Sequence, residues 1–172
     1  MDNWIPFTEQ EQDVVWEVID KMLKFSPSIR RFPGLKVPRP FITYDVSGYF
    51  EGTMGEGAYE DLEEKSLTVF QKLTDPDEYI YALDWQHECY WLNSHLPLER
   101  DEWGEWIVPI FPDGDYYFFI EKDFKWGFLG HPWERSITIF GEEVLRCFEK
   151  NKPIMFQKIL RQSPNKINKK KR

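Results

Sequence analysis

Tyr79-Ile80-Tyr81-Ala82-Leu83-Asp84-Trp85-Gln86-His87-Glu88-Cys89-Tyr90-Trp91 is the stretch that decides the fold. Successive side chains of an extended chain point to opposite sides. Tyr79, Tyr81, Leu83, Trp85, His87, Cys89 and Trp91 therefore share one face, which is largely apolar. Ile80, Ala82, Asp84, Gln86, Glu88 and Tyr90 share the other, which turns polar from Asp84 onward. This alternation predicts one strand, bent once, with a single buried face.

Working outward, residues 106–111, 116–121, 126–129 and 136–140 are rich in rings and β-branched side chains and read as further strands. Pro112-Asp113-Gly114-Asp115, Lys122-Asp123 and Gly130-His131-Pro132-Trp133 separate them as turns. The gaps are too short for crossover helices, so the strands pair mostly antiparallel. Residues 41–47 form one more strand. Thr8 and Glu11 have capping-box spacing, and Val15, Ile19, Met22 and Leu23 follow on one helical face. That helix ends near Phe25, before Pro27. A second helix covers 58–73, with Leu62, Ser66, Val69, Phe70 and Leu73 on its stripe. A third opens after Gly141 with Val144, Leu145 and Phe148 inward, and Pro153 starts a short helix reaching Leu160. Gly48, Gly52, Gly55 and Gly57 mark a loop that lacks the Gly-Lys-Ser/Thr ending of a phosphate-binding loop. The class is α+β, a mostly antiparallel twisted sheet packed by about three helices. Residues 1–161 are expected to form a single domain, and residues 162–172 a basic disordered tail.

Composition narrows the function. The chain has 172 residues and is 41% hydrophobic, enough for its own core without a disulfide or metal staple. Its 14 Phe, 8 Tyr and 8 Trp exceed what a core of this size needs, which leaves rings for a binding face. Residues 161–172 hold six basic side chains and no acid. That leaves 16 basic against 30 acidic side chains, a net of −14, in residues 1–160. Such a body repels nucleic acid and anionic membranes and attracts basic proteins. Met1-Asp2-Asn3-Trp4 does not resemble a secretory leader, and no run approaches the roughly 20 apolar residues of a membrane helix. These features imply a cytoplasmic protein in which Cys89 and Cys147 are free thiols.

The chemistry-bearing candidates are Asp84, His87, Asp113, Asp115, His131, Trp133 and Glu134. His87 and Cys89 lie two apart and suit a metal, but they supply only half of the four ligands of a structural zinc. A core role for the pair is the simpler reading. Asp113 and Asp115 bracket Gly114, where turn chemistry is the simpler reading over a carboxylate pair. His131 precedes Pro132, is extended and could point into a cleft with Glu134 orienting it, but a tight turn in which the His caps backbone carbonyls is the simpler reading. Asp84, His87, Asp115 and His131 form one cleft only if the sheet brings their strands together. No Gly-x-Ser-x-Gly elbow and no His-Glu-x-x-His occurs, and no metal or cofactor is assigned.

The runs Tyr81-Ala82-Leu83-Asp84-Trp85-Gln86-His87, Phe111-Pro112-Asp113-Gly114-Asp115-Tyr116 and Gly130-His131-Pro132-Trp133-Glu134, with Ile139-Phe140-Gly141, resemble a bacterial family of domains of unknown function, DUF2716. The resemblance implies a small bacterial cytosolic protein and brings no activity or site residues with it. The residues themselves favour a non-catalytic interaction module that masks a basic protein partner, as immunity proteins do. One alternative is a small enzyme or metal-binding protein using the His/Asp cleft. Another is a small-ligand or sugar-binding domain that stacks its ligand on Trp faces.

Overall fold

A computed structural model describes residues 2–51 and 57–164. The glycine loop expected around Gly52 and Gly55 and the basic residues from Lys166 onward lie outside the described residues. The chain runs β1 (Trp4–Pro6), α1 (Glu9–Leu23), β2 (Phe41–Asp45), a 3₁₀ turn (Ser47–Tyr49), α2 (Ala58–Leu73), β3 (Ile80–Asp84), β4 (Tyr90–Leu92), β5 (Tyr117–Ile120), β6 (Gly127–His131), β7 (Ser136–Phe140), α3 (Glu142–Lys150) and β8 (Lys158–Gln162). The strands form one eight-stranded sheet in the order β1-β4-β3-β5-β6-β7-β2-β8, and every pairing is antiparallel. The fold is thus α+β, as the strand spacing predicts. Among the described residues no helix is long and apolar enough to cross a membrane.

Both faces of the sheet are covered, not one. On the first face, Val15, Ile19 and Leu23 of α1 pack on Leu83, Phe118, Leu129 and Phe140. On the second, Leu62 and Phe70 of α2 and Val144 and Phe148 of α3 pack on Ala82, Phe119, Phe128 and Ile139. A strand with two buried faces loses its polar alternation. This is why β5, β6 and β7 are buried at every position. The helices follow their sequence signals closely. Thr8 caps α1 by accepting the Glu11 N–H while the Glu11 carboxylate accepts the Thr8 N–H. The helix stops at Leu23 because Lys24 turns left-handed, with φ 48°, and Met22 is exposed rather than on the buried stripe.

Four strand and helix assignments change. Residues 79–91 are a hairpin, β3 and β4, that pairs Tyr81 with Trp91. In this hairpin the opposed residues, Tyr81 with Trp91 and Ala82 with Tyr90, are an even number apart, so side-chain parity carries across the turn and alternation alone cannot tell it from one bent strand. Residues 106–111 bury Trp106, Val108, Ile110 and Phe111 but pair only through an isolated Arg100–Trp106 bridge, and Pro109 lacks the N–H a ladder needs. The segment from Pro153 to Leu160 is not a helix. It turns at 154–157 and enters β8, which uses the open edge of β2 through Gln162, inside the stretch expected to be tail. Strand β6 runs on through His131, so the turn begins at Pro132.

Candidate functional site

Asp84 is the last residue of β3, and a turn follows in which the His87 N–H donates to the Asp84 carbonyl (3.1 Å). Gln86 takes φ 68° within it. The neighbouring loop is tied on by the Trp85 N–H, which donates to the Tyr116 carbonyl (3.2 Å). This brings Asp115 beside the turn. His87 Nδ1 lies 2.9 Å from Asp84 Oδ1 and 3.0 Å from Asp115 Oδ2. The other Asp115 oxygen accepts the Tyr116 N–H (2.8 Å), which fixes the carboxylate. The His87 side chain is 65% exposed, whereas both carboxylates are largely covered.

Burial pushes the Asp84 carboxyl up to about 6, with Asp115 adding to the rise and His87 opposing it. Burial also raises Asp115, against the Tyr116 N–H and His87. His87 is raised, first by its hydrogen bond to Asp84 and then by the two negative charges. All three groups are thus shifted toward keeping their protons, the kind of perturbation that marks a candidate site.

The other candidates are elsewhere. His131 is 3% exposed and sits on the sheet face of Tyr116 and Leu129, opposite the face that Asp84 shares with Ala82 and Tyr117. Its Nδ1 accepts the Glu134 N–H (3.1 Å), and its ring packs on Tyr116 and Phe32. Burial lowers its pKa. Glu134 orients no histidine toward a cleft. It takes a two-pronged hydrogen bond from Arg161 (3.0 and 2.6 Å) and one from Ser136 (2.6 Å). Burial would raise Glu134, but these partners hold it below the usual carboxylate range. Trp133 packs edge-on to Trp85 and Tyr116. Cys89 does not join His87, because the turn swings His87 outward while the buried Cys89 thiol points at the Asp84 and His87 carbonyls. Asp113 parts from Asp115 and lines a different cleft.

That cleft, about 570 Å³, lies between α2 and residues 98–113. Its walls carry Glu60, Glu63, Glu105 and Asp113, and among the described residues that line it Arg100 is the one basic side chain. Arg100 already serves Glu63 (3.1 Å) and the Gly104 carbonyl (2.9 Å). Burial raises the Glu63 carboxyl, against the Arg100 contact. Trp103 stands at the mouth, 78% exposed. Its loop is locked by Asp101, whose carboxylate accepts the Trp103 and Glu105 N–H groups (2.9 Å each). Tyr59 flanks it and donates its hydroxyl to the Tyr49 carbonyl. Trp103 escapes a reading of the sequence because residues 93–105 look like a plain polar loop, and Tyr59 because it opens α2 ahead of the stripe that starts at Leu62. A ring set among Asp101, Glu102 and Glu105 was the available signal for Trp103.

Comparison with known proteins matches residues 6–145 to the model of a protein family of unknown function, DUF2716. The chain belongs to the DUF2716 family. It is also similar to a protein of Bacillus subtilis (strain 168) named "Uncharacterized protein YxiI", with 40% identity over 161 residues, covering 91% of this chain and 99% of that protein. No solved structure matches it significantly. The family match takes in Asp84, His87 and Asp115 as well as the whole cleft lining, so both features lie within the part of the chain that defines membership.

Proposed function

We propose that this DUF2716 protein is a non-catalytic interaction module that captures a basic protein through the cleft between α2 and residues 98–113. The observation that carries the reading is Trp103, a ring held almost wholly in solvent on a locked backbone beside four carboxylates. Trp is the side chain most enriched among residues that dominate binding energy, and a pre-ordered one loses little entropy on association. Its face attracts a Lys or Arg side chain by cation–π contact. The carboxylates at the rim, with the acidic body behind them, raise the association rate of a basic partner. Masking of a basic toxin by an immunity protein is one instance of this class.

The test is retention of proteins from the native host on immobilised wild-type chain, Trp103→Ala, and a Glu60→Gln/Glu105→Gln/Asp113→Asn variant, at low and high salt. A basic protein held by the wild type is expected to be lost on Trp103→Ala, with affinity falling by about 30-fold or more, the equivalent of at least about 2 kcal/mol. The charge variant is expected to weaken the salt dependence. A partner held equally by all three chains, or no partner at either salt concentration, sinks the reading. Folding does not confuse the result, because a side chain this exposed changes stability by about 0.5 kcal/mol or less.

A further inference from the structure

Around His87 the hydrogen-bonding numbers do not balance. Three oxygens converge on its Nδ1: Asp84 Oδ1 at 2.9 Å, Asp115 Oδ2 at 3.0 Å and the Trp85 carbonyl at 3.1 Å. A ring nitrogen carries at most one hydrogen. One N–H cannot satisfy three acceptors with good geometry, so two carboxylates direct surplus lone pairs at the same point. A positive ion removes that surplus, with the imidazole turned from donor to ligand.

We propose that Asp84, His87 and Asp115 bind one divalent first-row transition ion of the Zn²⁺ or Mn²⁺ type. Each residue offers one ligand atom, and the three atoms lie within 4.8 Å of one another. Ligand atoms about 2.1 Å from an ion sit about 3.0 Å apart along an octahedral edge and about 3.4 Å apart along a tetrahedral one. The observed separations of 2.9 and 3.0 Å from His87 Nδ1 match the octahedral edge, and a tetrahedral ion needs the ligands to part by a few tenths of an ångström. The backbone prepares the set. Tyr116 N–H occupies one Asp115 oxygen and leaves the other facing inward. The Asp84–His87 turn and the Trp85–Tyr116 hydrogen bond hold the two loops together.

The donor types select the ion class. One imidazole and two carboxylates suit first-row transition ions, whereas Ca²⁺ requires six to eight oxygens. Three protein ligands with an exposed histidine leave further coordination positions open to solvent, the arrangement of an ion that accepts water or a ligand rather than one that only staples a fold. The site is independent of the Trp103 cleft, and either stands if the other fails.

Isothermal titration of the chelator-treated full chain with Zn²⁺, and separately with Mn²⁺ and Ca²⁺, tests the proposal. One Zn²⁺ or Mn²⁺ per chain is expected. His87→Ala, at the exposed tip of a turn where folding is not at stake, is expected to weaken binding by at least the roughly 10–100-fold that loss of an outer-shell partner costs in metal sites. Asp115→Asn is expected to do the same, and His95→Gln to change nothing. Absence of Zn²⁺ and Mn²⁺ binding, binding that His87→Ala leaves intact, or preference for Ca²⁺ over both overturns it.

Discussion

Arg161→Ala is expected to detach the last strand from the sheet at a cost of about 2–3 kcal/mol. Strand β8 lies at the sheet edge, with four of its five residues exposed, so apolar burial does little to hold it. What remains is the ladder to β2, the hydrogen bonds between Ser163 and Phe41 just beyond it, an exposed Lys158–Asp45 pair (3.4 Å) that contributes little, and the two-pronged Arg161–Glu134 pair, at 3.0 and 2.6 Å. Breaking a buried pair by removing one partner costs about 3–5 kcal/mol, because the other charge stays buried and alone. Glu134 is such a partner, with its side chain 6% exposed, but Arg161 is 32% exposed, which places the loss at or below the lower end of that range. Glu134→Gln is expected to cost only about 1 kcal/mol, since Gln keeps a bond to Ser136 and the orphaned guanidinium reaches water. In the Glu134→Gln background, Arg161→Ala then adds little, which gives a coupling of about 2 kcal/mol across the double-mutant cycle. The pair also has a pH signature. Arg161 depresses the folded Glu134 pKa, so the stabilisation is present above the unfolded carboxyl range and is lost as pH falls through the folded value. Urea unfolding followed by Trp fluorescence reads the cycle at pH 7 and at acid pH, and hydrogen exchange reads β8 directly. Additive costs within about 0.5 kcal/mol, or an Arg161→Ala cost below that, refute the reasoning.

Gly127→Ala is expected to lose about 1–3 kcal/mol, because a Cβ there overlaps the Phe140 ring, which is itself buried under α1; an unchanged urea midpoint contradicts this. Thr8→Ala removes the hydroxyl that accepts the Glu11 N–H, while the Thr8 N–H can still donate to the Glu11 carboxylate, and is expected to cost about 1 kcal/mol, read in the same assay, with a neutral result counting against the cap. Asp84→Asn is expected to raise stability at pH 8 in metal-free buffer. A carboxyl raised from 3.8 to about 6 by burial holds its proton more tightly when folded, so its favourable contribution is complete below about pH 4 and disappears as pH rises through about 6. That rise sets an upper bound of about 3 kcal/mol on the gain, reduced by the lost His87 contact and by the 17% exposure of the side chain. The difference between variant and wild type closes near pH 4, and a variant no more stable than wild type at pH 8 rules the account out.

Local signals were legible in the chain because their partners are local. The Thr8–Glu11 box, the α2 stripe from Leu62 to Phe70, the run from Ser136 to Phe140 and the antiparallel pairing all follow from neighbours a few residues apart. Parity between residues 81 and 91 was also legible, since Tyr81, Leu83, Cys89 and Trp91 do share one face. Tertiary structure decided the rest. Whether residues 79–91 fold back depends on which strand Asp84 next meets, and that is Tyr117, 33 positions away. The β8 strand takes its conformation from the open edge of β2, with Thr43 opposite Arg161, against a local preference read as helix and tail. The choice of Asp84, His87 and Asp115, and the exclusion of His131, likewise came from the sheet: adjacent strands put His131 on the opposite face, and no spacing along the chain encodes which side of a neighbouring strand a side chain will occupy.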